Sequence, residues 1–280
     1  MGVYRSLIIW IAAILVILGV FLGFVAGGWP GEPDSCLTPT ADADNSCYCE
    51  EFDREDVLAG EPGVRQPVNT WVNLYAIATS FTVAFVVYLD RRELGSRSAP
   101  NLMKSFDAAP DLYVFAVLFL GLGSMWFHAS LKQWGGILDG ASMYAYAAFL
   151  VYYSIRRLWD SAWFFWIGYL VTIGLFTFLH TQIPSVINII ILVVAYLIVE
   201  VIIWICSGKV MQGKTGTIIL WVSAAVSILA ATFFWAASQT GSFMCEPGSA
   251  FQPHGLLWHP LAGVMAVLLY FYWREASDPV

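Results

Sequence analysis

Charge is what this chain lacks. Charged residues fill 12% of the 280 positions and apolar ones 59%, against roughly 25% charged in a soluble domain. A water-soluble globule cannot hide that much apolar surface, so lipid is the natural solvent. Basic residues number only 13, and no cluster of them forms a nucleic-acid footprint, which excludes DNA and RNA as partners. The formal net charge of −7 does not imply basic partners either, because the acids crowd into one loop. No segment repeats another at a fixed period, which excludes solenoids. Cysteine pairs at zinc-ribbon or thioredoxin spacing are missing too, since Cys47 and Cys49 are separated by one residue.

What is present is a series of long apolar runs. About 20 helical residues cross a hydrocarbon core, and eight stretches qualify: 7–27, 67–89, 112–131, 136–155, 162–180, 184–206, 216–238 and 255–273. Helices satisfy their own backbone polar groups in lipid, so the expected fold is an all-α membrane protein. Pro67 and Pro184 stand where a helix accepts proline, at its first turn. The expected organisation is an N-terminal transmembrane anchor over 1–28 and an acidic, cysteine-containing outer loop over 29–66. A seven-span core over 67–275 and a short tail over 276–280 follow. The first apolar run, about 20 residues, exceeds the 7–15 of a signal-peptide core, so a retained span is expected rather than a cleaved one.

Orientation follows from Lys and Arg. With a cytoplasmic N-terminus, Arg5, Arg91, Arg92, Arg97, Lys104, Arg156, Arg157, Lys209, Lys214 and Arg274 all fall inside. Arg54, Arg65 and Lys132 fall outside. That is the positive-inside pattern, and it places both termini in the cytoplasm. Cys36, Cys47, Cys49 and Cys245 then face an oxidising side, where four cysteines allow three pairings. Cys206 is left in a span as a free thiol.

Polar side chains inside a span are costly and therefore informative. Ser124 and His128 are four apart, on one helix face near its outer end. Asp139 enters the next span about one turn down, and His254 and His259 open the last span at the same level. Three imidazoles with one open position suit a catalytic zinc, which lowers the pKa of water there toward about 7. A carboxylate can then accept a proton and a hydroxyl can steady an oxyanion. On spacing alone the histidines fit a haem or a proton path as well. His180 reads as an interhelical hydrogen-bonding residue. Glu200 reads as a snorkelling or paired acid, and Asn69 with Asn73 as helix–helix glue.

The run Gly121-Leu-Gly-Ser124-Met-Trp-Phe-His128-Ala-Ser-Leu-Lys132, followed by Ile137-Leu-Asp139 and Met143, resembles the alkaline ceramidase signature. Its Asp stands eleven residues after the His, as in that family. His254-Gly-Leu-Leu-Trp-His259 resembles the family's second histidine pair. Cys47-Tyr-Cys-Glu50 and Val68-Asn69-Thr-Trp-Val-Asn73 resemble its N-terminal loop and first core helix. The resemblance covers roughly 47–275 and extends to the wider CREST superfamily of seven-span zinc hydrolases.

The resemblance implies zinc held by His128, His254 and His259, with Asp139 orienting or deprotonating water and Ser124 stabilising the tetrahedral intermediate. It implies hydrolysis of the ceramide amide to a sphingoid base and a fatty acid. The alternatives are a hydrolase of another lipid ester or amide, and a receptor or structural protein braced by zinc. A Cys49–Cys245 disulfide is expected, with Cys36–Cys47 as a second bridge.

Two departures accompany the resemblance. The family's C-terminal histidines are usually four apart, whereas His254 and His259 are five apart, about 140° around a regular helix. Either His254 precedes the regular helix or a π-bulge realigns it. Glu50 matches one ligand of the family's calcium site, but Cys47, Phe52 and Gln66 replace other oxygen ligands. The neighbouring Glu51, Asp53, Glu55 and Asp56 then read as a different calcium site or as a solvated acidic loop.

Overall fold

The computed structural model describes residues 2–37, 48–95, 97–207 and 215–276. It is an all-α membrane protein. The helices are α1 (Gly2–Gly27), α2 (Arg54–Ala59), α3 (Pro67–Val72), α4 (Tyr75–Leu94), α5 (Ala109–Ser130) and α6 (Gln133–Leu158). They continue as α7 (Ala162–Leu179), α8 (Ser185–Ser207), α9 (Thr215–Ala237) and α10 (His259–Glu275). Among the described residues the only β-type pairing is an isolated bridge between Pro33 and Lys132.

Among the described residues, seven stretches are long and apolar enough to cross a membrane, with α3 and α4 together forming the second and the turn before α10 belonging to the last. The remaining expected span, α6, is long enough at 26 residues, about 39 Å at 1.5 Å per residue. It is less apolar because it meets α5, α7 and α8 rather than lipid. Its inner positions are Gly, Ala, Ser and Tyr, most of them buried. By contrast α7, α8 and α9 expose rows of Leu, Ile, Val and Phe, the face that lipid tails cover.

The second span is not one regular helix. Pro67 opens α3 at its first turn, as expected, but α3 ends at Val72 and α4 restarts at Tyr75. Asn73 closes that break by donating from its side chain to the Asn69 carbonyl at 2.7 Å. α1 packs outside the core through Phe21 and Phe24, which meet Trp29 and Trp126, while Phe21 also meets Trp71 and Phe24 meets Trp134. The central core lies between α5, α6 and α10, where Tyr113, Phe149, Tyr153 and Trp273 interlock.

One end of the bundle is tied by charge. Arg91 grips Asp111, Arg156 grips Asp107 and Arg274 grips Asp90, each through two hydrogen bonds of 2.6–2.9 Å. Such forked pairs are the stronger kind. Deeper in, Glu200 is wholly buried and pairs with Arg157, accepting also from Ser154, Tyr272 and Trp273. Of the two readings open for Glu200, pairing is the one the fold adopts.

Asp107 lies between spans, and burial pushes its carboxyl up. The Arg156 side chain pulls it down further, leaving it below the ordinary 3.8. A carboxylate with a depressed pKa contributes stability above its unfolded value and loses it as pH falls through the folded one. Thermal unfolding in detergent from about pH 5 to pH 3 should therefore show a falling melting temperature. Arg156→Met should be less stable at neutral pH and flatter over that range. Equal acid sensitivity in both proteins would exclude the pair as a source of stability.

Candidate metal centre

Two glycines position the first half of the site. A Cβ on Gly121 would collide with Ala76 Cβ and lie 2.8 Å from the Asn73 carbonyl. A Cβ on Gly123 would lie 2.8 Å from Ser142 Cβ. Glycine at both positions lets α5 wedge between α4 and α6, and so carries Ser124 and His128 into the bundle. α5 ends on Leu131, which takes a left-handed φ of 49°. The chain then reverses into α6, whose second turn carries the buried Asp139 close to the buried Ser124.

The second half comes from the turn before α10. Residues His254–Trp258 form a π-helix that runs directly into α10. In a π turn the i→i+5 pattern places residues five apart nearly above one another. This is the second of the two ways in which a spacing of five can serve one site. Pro260 lacks the N–H that a regular α turn would use here. Gly255 allows the wide turn to sit against α3, since a Cβ there would come within 2.7 Å of Asn69 Oδ1.

The result is three buried imidazoles facing one another. One ring nitrogen from each of His128, His254 and His259 lies within 4.8 Å of the others. Among the described residues this is the single group of three or more His, Cys, Asp or Glu able to hold a metal. His128 Nδ1 is 2.7 Å from Gln66 Oε1, a bond that assigns the proton to Nδ1 and leaves the other nitrogen free to ligate. Gln66 is itself anchored, its amide donating to the Glu50 carbonyl at 3.1 Å. His259 Nε2 lies 3.5 Å from the Asn73 amide. Both nitrogens of His254 are buried with no protein hydrogen-bond partner.

A wholly buried imidazole without a partner is expensive unless something else bonds it. A metal ion held there would offset that cost. With one ring nitrogen of each within 4.8 Å of the others, the three are close enough to share a single ion. The donor set also fits: three neutral nitrogens are the ligand count of an open zinc site.

Glu50 has a different occupation. Its two carboxylate oxygens accept from the backbone N–H groups of Val68 at 2.6 Å and Asn69 at 2.8 Å, so it caps α3. The outer loop that carries it is pinned by a Cys49–Cys245 disulfide, with Cα atoms 5.4 Å apart. Cys36 is disulfide-bonded as well, while Cys47, its expected partner, lies outside the described residues. Asp53, in the same acidic loop, caps α2 by accepting from Glu55 and Asp56.

His180 does not join the cluster. It lies against Gly140 and shares a 3.0 Å hydrogen bond with Tyr144, the interhelical role expected of it. Two residues at the site escaped the sequence reading. In the sequence Gln66 reads as a replaced oxygen ligand of the calcium site, and nothing local points it at His128. Tyr48 stacks on His254 with ring centroids 4.2 Å apart and lies 5.1 Å from His128; its position between two cysteines was the available signal.

The three-histidine centre thus sits inside an all-α membrane bundle. The sequence model of the ceramidase family matches residues 62–277, and the chain belongs to that family. The match begins after α1 and after most of the outer loop. Among curated proteins, none matches the chain.

Outer partners of a ligating histidine typically change metal affinity by about 10–100-fold. Gln66→Leu should therefore weaken zinc binding by that order while the protein stays folded. Competition against a calibrated chelator measures it. Unchanged affinity would mean that the Gln66 bond does not orient His128 for a metal.

Proposed function

We propose that this protein is a zinc-dependent intramembrane lipid amide hydrolase that cleaves a ceramide-like substrate into a sphingoid base and a fatty acid. The observation that carries this reading is His254, buried with two unpartnered nitrogens beside His128 and His259, in a chain of the ceramidase family. Zinc held by these three residues supplies Lewis acidity toward the amide carbonyl and makes water acidic enough to react at neutral pH.

The rest of the chemistry belongs to side chains of the chain. Asp139 accepts the proton of the attacking water on its carboxylate as the new C–O bond forms. The same proton then passes to the amide nitrogen, so that the C–N bond breaks with a neutral amine leaving. Ser124 donates from its hydroxyl to the carbonyl oxygen as charge develops there. Both groups are buried in the bundle. The surrounding bundle excludes bulk water, which strengthens each of these interactions. The positive-inside distribution of Lys and Arg supports cytoplasmic termini and a site near the extracytoplasmic leaflet. The position of α1 outside the family match supports its reading as an added anchor on a seven-span core.

Two substitutions separate the roles. Asp139→Asn should leave zinc bound and lower turnover by about 10²–10⁴, the usual contribution of a positioned acid–base group. Ser124→Ala should also keep zinc and lose about 10²–10³, the effect of removing one oxyanion donor. Zinc content and lipid hydrolysis are measured together on a mixed lipid extract, with products read by mass spectrometry. Loss of zinc in Asp139→Asn would make Asp139 a ligand. Full activity in both variants would reduce the metal to a brace, and release of products from an ester lipid alone would reassign the substrate.

A further inference from the structure

Tyr48 stands in an unusual place for its residue type. Its φ is +71°, a left-handed conformation that an L side chain adopts only where the surroundings hold it. What it gains there is contact with the site. Its ring stacks on His254 at 4.2 Å and 31°, and tilts over His128 at 5.1 Å. The next residue, Cys49, is tied to Cys245 just ahead of the π turn that carries His254. Tyr48 belongs to the outer loop and is half-buried, whereas the two histidines that its ring stacks against are buried.

We propose that Tyr48 is a tethered lid whose ring closes the aqueous side of the three-histidine site, with the Cys49–Cys245 bridge holding it in place. With that side closed, substrate reaches the site from the membrane, so the lid selects acyl lipids dissolved in the bilayer over water-soluble amides. This selectivity rests on the hydrolase reading given above. The lid itself does not, because a ring covering two imidazoles is a barrier whatever they bind.

The test uses the full-length protein in detergent, stripped of metal, and carbethoxylation of each histidine by diethylpyrocarbonate read by mass spectrometry. Tyr48→Gly removes the ring and relieves the left-handed backbone, since glycine adopts positive φ without strain. It should raise the modification rates of His254 and His128 at least about tenfold and leave His180, which lies elsewhere, unchanged. Tyr48→Phe should react like the wild type, because the ring and not the hydroxyl forms the barrier. Reduction of the wild-type protein should reproduce the Tyr48→Gly pattern by releasing the tether. Unchanged rates in Tyr48→Gly would overturn the lid. An equal rise at all histidines including His180 would also count against it, marking Tyr48 as a scaffold residue. Absence of zinc from the protein as purified would instead overturn the hydrolase reading, and the carbethoxylation rates would still decide on the lid.

Discussion

Three buried imidazoles whose ring nitrogens lie within 4.8 Å of one another, inside a largely apolar bundle, form a costly arrangement. Much of the outer half of the fold serves to make it bearable. Gly121 and Gly123 bring α5 close enough to α4 and α6 for His128 to reach the centre. The π turn aligns His254 with His259. A relay from the α3 cap through Gln66 fixes the ring of His128. The bundle's other end is stabilised differently, by forked Arg–carboxylate pairs that require no ligand. Structural and chemical demands are thus separated along the helix axes.

The outer loop shows how one residue can be redirected within a family pattern. Glu50 resembles a calcium ligand by position, yet both its oxygens are spent on the first backbone N–H groups of α3. A carboxylate at a helix N-terminus is well matched to the local dipole. It also connects the loop to the three-histidine cluster, because the Glu50 carbonyl anchors the Gln66 amide that bonds His128. The disulfide fastens the same loop to the start of the last span. Cap, relay and bridge together make the loop a component of the centre.

Much of this was legible in the sequence because membrane rules are strict. Long apolar runs must be helices in lipid, and polar residues within them stand out. Ser124, His128, Asp139, His254 and His259 were all visible on that ground. Other features were hidden for physical reasons. The break between α3 and α4 depends on Asn73 bonding the Asn69 carbonyl, a local choice that no periodicity signals. The spacing of His254 and His259 left two geometries open, and the π turn emerges only once Gly255 is seen against Asn69. Gln66 and Tyr48 act through partners distant in sequence, and one chain alone does not announce such pairings.

The burial of α6 has a consequence for how the sequence can drift. A helix facing lipid answers only to apolarity, so the outer faces of α7, α8 and α9 can exchange Leu, Ile, Val and Phe freely. α6 answers to shape on every side. A methyl group added at Gly140 would meet the His180 ring, and one at Gly136 would meet the Asp34 carboxylate. Two adjacent helices of one protein therefore accumulate substitutions under different rules. In a lineage of such enzymes the least hydrophobic span would be the slowest to change, and the greasiest spans would preserve little beyond their greasiness.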